Sequence, residues 1–194
     1  MCIRDSINTK DLKDEEYINS HYIVMCTKKG VIKKTSLEQY SRPRSNGINA
    51  ITIKDGDQLL EAKMTTGNSQ IMMAVSSGKS IRFEEEKVRS MGRTASGVRG
   101  IRLADDNDQV VGMICVNDLN SSVLVVSENG YGKRSAVEDY RITNRGGKGI
   151  IGIINSPRNG NIAASLVVRE NDEIILSTDK GSTVSYTHLR AHET

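Results

Sequence analysis

Short apolar runs and polar turns alternate along the chain, and the alternation repeats. Residues 23–40, 71–88 and 123–140 each begin with a run rich in Val, Ile or Met, pass through polar residues to a glycine and continue beyond it. A fourth segment, residues 174–184, begins in the same way. The turn glycines recur about every 50 residues, which indicates a protein built from internal repeats. They are Gly30, Gly78, Gly130 and Gly181.

A second pattern completes each repeat. The segments SNGINAI, ASGVRGI and RGGKGI align on Ala50, Gly100 and Gly149, and each leads through a polar turn into a further apolar run. Because turn signals separate these runs, each repeat is expected to contain about four short strands. Residues 84–91 predict one helical turn at most.

Four-stranded units at this period are typical of propeller blades, whereas a β-solenoid has much shorter periods and a sandwich does not need repeats. The predicted fold class is therefore all-β, an incomplete β-propeller whose four-stranded blades repeat at about 50 residues. The blade-like repeats are expected near residues 23–70, 71–122 and 123–173, with the start of another at 174–184.

Composition narrows the class of protein. Hydrophobic residues make up 37% of the chain and the mean hydropathy is −0.42, as expected for a soluble globular protein. The N-terminus has no apolar stretch of the kind found in secretory signals. Three cysteines without a C-x-x-C pair favour a reducing, cytoplasmic compartment. With no Trp and 4% aromatic residues, a stacking platform for single-stranded nucleic acid is poorly supported.

Positive charge is concentrated in one part of each repeat. Residues 28–49, 79–102 and 131–148 hold 18 of the 27 Lys and Arg but only six of the 24 Asp and Glu. Equivalent positions of stacked blades fall on one face or rim, so the pattern predicts a polyanion wrapped around that rim. Double-stranded DNA fits better than RNA or lipid, because stacking aromatics and amphipathic helices are missing. Alternatively, these cations only solvate exposed strands and protect sheet edges.

One cation recurs four positions after the turn glycine in the first three repeats, as Lys34, Arg82 and Arg134. A glycine-rich loop, RGGKG, carries Arg145 and Lys148. Glycines let backbone N–H groups approach a phosphate closely, and the two cations add charge for neighbouring phosphates. Such contacts position DNA without reading its sequence. The alternative is a tight connection between blades in which glycine only satisfies the turn geometry.

The chain resembles the C-terminal β-pinwheel domain of gyrase A, one of the two proteins that make up DNA gyrase. The segments that carry the resemblance are TKKGVIKKTSLEQYSR, DGDQLL, SSGKSIRF, KVRSMGRTASGVRGIRL, NGYGKRSAVEDY and NRGGKGIIGI, within residues 7–184. The resemblance implies a pinwheel that binds and bends duplex DNA around its rim. That wrapping presents a second DNA segment for strand passage, so that ATP-driven gyrase introduces negative supercoils.

The hallmark of that family is the gyrase A box, Q-R-R-G-G-K-G, which corresponds here to TNRGGKG at residues 143–149. The last five positions agree and the first two do not. The family's box normally lies in its first blade, whereas this copy lies in a later one, so the resemblance implies a lesser DNA contact. The candidate DNA-binding residues are Lys33, Lys34, Arg42, Arg44, Arg82, Arg93, Arg99, Lys133, Arg134, Arg145, Gly146, Gly147, Lys148 and Gly149.

The resemblance also implies that the chain is a fragment. Residues 7–184 would be a partial DNA-wrapping domain, between a non-native leader (residues 1–6) and a non-native tail (residues 185–194). No catalytic residue, metal or cofactor is expected in it, since ATP and Mg²⁺ act through other domains of the whole gyrase. The implied partners are double-stranded DNA, the rest of gyrase A, and gyrase B in an A2B2 heterotetramer, with no membrane, in the bacterial cytoplasm.

Three alternatives stay open. The C-terminal domain of topoisomerase IV, in the protein that corresponds to gyrase A, is a near relative that lacks a regular box. A protein-interaction propeller without a nucleic-acid role predicts binding that is insensitive to salt. An enzyme that uses the propeller as a scaffold ranks last, because no His/Asp/Ser or metal-ligating constellation recurs at plausible positions.

Overall fold

The computed structural model describes residues 11–170, 172–177, 181 and 183–186, and these residues form antiparallel sheets. In chain order the strands are β1 (Tyr22–Thr27), β2 (Val31–Ser36), β3 (Leu59–Thr65), β4 (Gln70–Val75), β5 (Lys79–Glu84), β6 (Val98–Arg99), β7 (Val110–Val116), β8 (Ser122–Ser127), β9 (Gly132–Ala136), β10 (Ile150–Ile151), β11 (Ile162–Val168), β12 (Ile174–Ser177) and β13 (Thr183–Tyr186).

The sheets follow one another as blades, which confirms the predicted all-β repeat fold. The first sheet has the order β3-β1-β2-β6 and the second β10-β5-β4-β7. The third sheet is β11-β8-β9, and β12 pairs with β13. The positive-φ glycines Gly30, Gly78 and Gly130 form the tight turns of the β1–β2, β4–β5 and β8–β9 hairpins.

The second and third repeats each contain four strands, as predicted, but these strands do not all pair within one sheet. Strand β6 belongs to the second repeat but pairs with β2 in the first sheet, where Val98 lies opposite Ile32. Strand β10 belongs to the third repeat and pairs with β5 in the second sheet, where Ile150 lies opposite Ser80. Each of these sheets is thus completed by a strand of the following repeat, which ties consecutive blades together.

Glycines fit the exchanged strands closely against the strands that they join. Gly97 has a φ of 97° and Gly149 a φ of 74°. A Cβ at Gly97 would lie 2.6 Å from the Ile32 carbonyl oxygen, and one at Gly149 would lie 2.6 Å from the Ser80 carbonyl oxygen. The two glycines are therefore structural equivalents, and only glycine fits there without a shift.

The alignment of Gly149 with Gly100 is accordingly wrong by three positions. Gly100 donates its N–H to the Gly30 carbonyl at 2.8 Å, and Gly152 makes the same bond to Gly78 at 2.9 Å. Gly152, not Gly149, is thus the counterpart of Gly100. The corrected alignment makes Arg93 the counterpart of Arg145.

The inner and outer edges of the blades follow from contacts between neighbouring sheets. Strands β3, β7 and β11 lie side by side across the sheets. Glu61 on β3 accepts a hydrogen bond from the Met113 N–H on β7 at 3.0 Å, and Gly112 on β7 lies against Ser165 on β11. These three strands form the inside of the array. The exchanged strands β6 and β10, at the opposite edges of their sheets, form its outer rim.

Apolar clusters pack neighbouring sheets against each other. Ile32 of the first sheet and Phe83 of the second lie in one cluster, and both are fully buried. Met72 of the second sheet and Val123 of the third lie in the next cluster. Because the core lies between blades, each blade is stabilised mainly by its neighbours.

The helical segments are short. The expected turn within residues 84–91 is confirmed as a 3-10 turn, Glu85–Lys87, and similar turns occur at Leu37–Tyr40 and Val137–Asp139. Helix α1 (Glu15–Ser20) was not predicted. The Asp14 carboxylate caps it by accepting the N–H groups of Glu16 at 3.0 Å and Tyr17 at 3.2 Å.

Asp108 joins two loops of the second repeat, the turn between β4 and β5 and the segment before β7. Its carboxylate accepts hydrogen bonds from the Ser76 hydroxyl (2.8 Å), the Ser77 N–H (3.0 Å) and hydroxyl (2.8 Å), and the Ala104 N–H (3.1 Å). Burial of the carboxyl raises its pKa, but these hydrogen bonds outweigh burial and hold the pKa below its usual value.

Asp108→Asn is expected to lower the free energy of unfolding at pH 7 by about 1–3 kcal/mol. The asparagine NH₂ group cannot accept the hydrogen bonds that one carboxylate oxygen of Asp108 accepts. The pKa of Asp108 is lower in the folded state than in the unfolded state. The carboxylate therefore stabilises the fold fully at a pH above the unfolded-state pKa, and this stabilisation is lost as the pH falls through the folded-state pKa. Urea denaturation at several pH values checks this. The difference in the free energy of unfolding between the wild type and the variant should become smaller below about pH 4. The exposed Asp106→Asn is the control; a pH-independent difference would contradict the assignment.

Candidate nucleic-acid interface

The glycine loop at residues 145–149 lies directly before the outer strand β10 and is held against the preceding repeat. The Gly146 N–H donates to the Gly100 carbonyl at 2.5 Å, and the Gly147 carbonyl accepts from the Arg102 N–H at 2.8 Å. Gly146 has a φ of 80°, which glycine adopts readily. The loop is thus an ordered part of the outer rim.

Arg145 adds two side-chain bonds to this attachment. Its Nε donates to the Lys87 carbonyl at 2.8 Å, and its Nη1 donates to the Arg99 carbonyl at 3.1 Å. These bonds and those of the loop backbone place the main chain of three further cationic residues against the loop that carries Arg145 and Lys148. We call these five residues the outer basic cluster: Lys87, Arg99, Arg102, Arg145 and Lys148.

The side chains of this cluster face solvent. Lys87, Arg99, Arg102 and Lys148 are exposed, and Arg145 is half-buried. In the described part of the chain, the two ion pairs join Lys34 to Glu85 and Lys63 to Glu61. No carboxylate there neutralises the cluster by direct contact, so its charge is available to an anion outside the protein.

The sequence predicted three of these cations and missed two. Arg99, Arg145 and Lys148 were candidates together with the glycines Gly146, Gly147 and Gly149. Both lie in the basic stretch at residues 79–102, so the charge pattern of the sequence covered them, although Lys87 follows three glutamates and Arg102 lies beyond the aligned segment. Only the hydrogen bonds of the loop to the preceding repeat assign these two residues to the cluster.

Three further candidates share a second surface. Arg42, Arg44 and Arg93 line a groove beside the 3-10 turn Leu37–Tyr40, and Glu15 and Glu38 line the same groove. Arg42 and Arg44 are exposed, and Arg93 is half-buried. The groove is mixed in charge, so its attraction for a polyanion is weaker than that of the outer basic cluster.

Lys133 and Arg134 lie on β9, at the edge of the third sheet. Lys133 is exposed, with its Nζ 3.4 Å from the Gly152 carbonyl oxygen, and Arg134 is half-buried. They belong to a different blade from the outer basic cluster.

The last three candidates, Lys33, Lys34 and Arg82, lie inside the protein, with 0%, 7% and 5% of their surface exposed. The Lys33 ammonium donates to the carbonyls of Ala50, at 2.6 Å, and Arg93. Burial, with the nearby Arg93 charge, lowers its pKa. Side chains used in this way do not present their charge to DNA, so we remove these three residues from the interface.

The recurrent cation four positions after the turn glycine has a structural explanation. Arg82 Nη1 donates to the carbonyls of Val137 at 2.7 Å and Tyr140 at 2.9 Å, which begin and directly follow the 3-10 turn of the next repeat. Its counterpart Lys34 has its Nζ 3.5 Å from the carbonyl of Glu85, in the equivalent turn of the second repeat. The recurrence is therefore accounted for by a hydrogen-bonded link between consecutive blades.

Among the residues that the structure describes, none of the helices has the length and apolar character needed to cross a membrane. The expected leader at residues 1–6 lies outside the described residues, as does the expected tail at residues 185–194 apart from its first two positions.

The sequence matches a known family along three stretches. The family model described as DNA gyrase C-terminal domain, beta-propeller, matches residues 21–65, 69–117 and 121–179. Curated relatives include the DNA gyrase A protein of Chlamydia pneumoniae, 42% identical over 89% of this chain and 21% of the relative. The corresponding protein of Salmonella typhimurium is 42% identical over 91% of this chain and 20% of the relative. The chain thus spans about a fifth of their length.

Solved structures agree on the fold. The C-terminal domain of DNA topoisomerase IV superposes with a TM-score of 0.84 at 24% identity, covering 90% of this chain and 55% of that one. The DNA gyrase A C-terminal domain superposes with a TM-score of 0.76 at 24% identity, covering 86% of this chain and 55% of that one. At these identities the similarity supports the β-pinwheel fold alone.

Proposed function

This chain belongs to the DNA gyrase C-terminal β-propeller family, and from that premise we propose that it binds duplex DNA along its outer rim and bends it. In this proposal the chain acts as a DNA-wrapping segment of a type IIA topoisomerase. Its contacts are to the phosphate backbone, so it holds DNA of any sequence.

The observation that supports the proposal most strongly is the outer basic cluster. Five cationic residues lie in or against one ordered loop at the outer edge of the blades, and in the described residues no carboxylate forms an ion pair with them. Duplex DNA is the polyanion whose charge density matches such a surface, and neutralising its phosphates releases counterions. Arginine and lysine together suit this role, because the guanidinium forks around phosphate oxygens and the ammonium acts as a point charge.

The parent protein is proposed to be gyrase A. The relatives at 42% identity carry that name, whereas the structural similarity extends to topoisomerase IV, with the higher TM-score, and at 24% identity it supports the fold alone. In the proposed setting, the bacterial cytoplasm, the rest of gyrase A supplies the strand-breaking chemistry and gyrase B the ATPase with Mg²⁺. Wrapping by this segment then biases strand passage toward negative supercoils. An assay of the parent enzyme separates the two possibilities. Gyrase introduces negative supercoils, whereas topoisomerase IV decatenates DNA without supercoiling it.

A salt titration of duplex-DNA binding by the whole 194-residue chain tests the proposal. With about four phosphates neutralised, one for each exposed cation of the cluster, the logarithm of the association constant should fall with the logarithm of salt with a slope of about −3.6. Duplexes of unrelated sequence should bind alike. A folded chain that ignores DNA at low salt would contradict the proposal and favour an interaction propeller, whose protein partner would bind with little dependence on salt.

A further inference from the structure

We infer that the two cations of the glycine loop have different tasks: Arg145 positions the loop, and Lys148 is its contact to the phosphate backbone. This inference rests on the proposed function. It separates a residue whose hydrogen bonds shape the site from one whose charge meets the DNA.

The guanidinium of Arg145 is already engaged within the protein. Its Nε and Nη1 donate to the carbonyls of Lys87 and Arg99, at 2.8 and 3.1 Å, and the side chain is half-buried. Two of its five N–H donors are thus committed to main-chain acceptors on the preceding repeat, and these bonds hold the guanidinium against the protein.

The same two bonds fix how the loop lies on the rim. The backbone holds the loop through the Gly146 N–H on Gly100 and the Gly147 carbonyl on Arg102. Arg145 extends this attachment to Lys87, beyond the reach of the loop's own backbone. A loop with two adjacent glycines has high conformational entropy, so such side-chain bonds have a large effect on how often it holds one shape.

The preceding repeat anchors its equivalent loop in another way. There the counterpart of Arg145 is Arg93, and its carbonyl accepts a hydrogen bond from Lys33 inside the sheet. In the next repeat the counterpart of Lys33 is Ile81, which lies opposite Met73 as Lys33 lies opposite Met25. An isoleucine offers no hydrogen-bond donor to the loop, so Arg145 supplies the anchor from the outer side.

Lys148 differs from Arg145 in each of these respects. It is exposed, and within the described ranges no group accepts a hydrogen bond from its ammonium or forms an ion pair with it. It lies directly before Gly149, whose close approach to the Ser80 carbonyl fixes the point where the loop enters β10. The ammonium therefore projects from a rigid base into solvent, where it can meet a phosphate.

Conservative variants of the whole chain separate the two tasks. The probe is a duplex of random sequence, and affinity is measured across a salt series. Arg145→Ala is expected to lower the affinity roughly three- to tenfold, the worth of one or two hydrogen bonds. Its salt slope should stay at the wild-type value, since no phosphate contact is lost. Arg145→Gln and Arg145→Lys should each recover part of the loss to a similar extent, because each retains a donor for one carbonyl.

For Lys148 the expected pattern is the reverse. Lys148→Ala and Lys148→Gln should lower the affinity equally and make the salt slope shallower by about 0.9, the value of one phosphate contact. The thermal unfolding midpoint of each variant reports its folding. If Arg145→Ala does not fold, the comparison of the Gln and Lys variants carries the test alone.

The outcomes are distinguishable from a failure of the proposed function. A wild-type chain that does not bind duplex DNA overturns that function. A wild-type chain that binds, while Arg145→Lys keeps full affinity and Arg145→Gln behaves like Arg145→Ala with a shallower slope, overturns the inference. That result would mean that the charge of Arg145, rather than its hydrogen bonds, acts on the DNA.

Discussion

The double variant Arg99→Ala/Lys148→Ala is expected to bind duplex DNA about 10- to 100-fold more weakly than the wild type at about 0.1 M salt. Both side chains are exposed members of the outer basic cluster, on the outer strand β6 and on the loop before β10. Each lost phosphate contact removes about 0.9 from the salt slope, so the double variant should be shallower by about 1.8. Affinities across a salt series provide the measurement.

A matched double variant controls for net charge. Lys63 lies on the inner strand β3, and Arg169 directly follows the inner strand β11. Lys63→Ala/Arg169→Ala removes the same two charges from the opposite edge of the blades. It should change the affinity less than about threefold, because surface charges beyond a Debye length of about 10 Å are largely screened. Equal losses in the two double variants would show that only net charge matters and would contradict a localised interface.

The second large effect is on stability. Arg82→Met is expected to lower the free energy of unfolding by about 3–5 kcal/mol, because each buried acceptor that loses its donor costs about 1–3 kcal/mol. The guanidinium donates to the carbonyls of Val137 and Tyr140 and to the Gln70 side chain, and all three acceptors lose a partner in the variant. A loss of that size is a large part of the stability of a typical domain. Urea denaturation followed by circular dichroism measures it.

Two further variants sharpen this result. Arg82→Lys should be milder, because Lys34 reaches the equivalent turn of the second repeat from the same position. The exposed Arg89→Met is the control and should stay within about 0.5 kcal/mol of the wild type. If Arg82→Met keeps wild-type stability but loses affinity for DNA, the recurrent cation is a DNA contact after all and the assigned link between blades is wrong.

The repeat architecture could be predicted from the sequence because its signals are local. Turn glycines and apolar runs of strand length recur within each repeat, and they locate β1, β2 and β3 and their counterparts. Strand exchange carries no such signal. Val98 and Ile150 each pair with a strand of the preceding repeat. Valine and isoleucine would be equally suitable if these strands paired within their own repeat, so the residue types do not reveal the exchange.

The candidate site shows the same limit. Lys33, Lys34 and Arg82 look like surface cations, because the carbonyls that hold them come from segments 51 to 60 residues further along the chain, apart from that of Ala50. Lys87 was overlooked for the same reason, since Arg145 contacts its carbonyl from another repeat. Composition can locate positive charge, but only the fold decides whether that charge is used within the protein or presented outside it.

Cleavage of bound DNA by a tethered reagent tests most directly whether the outer rim faces the duplex. The natural cysteines are replaced by alanine, and an iron chelate is attached at Lys148→Cys on the rim or, in a matched protein, at Lys63→Cys on the inner strand β3. The account predicts hydroxyl-radical cleavage of a bound duplex from position 148 and little from position 63. Equal cleavage from both positions, or cleavage from position 63 alone, would contradict it.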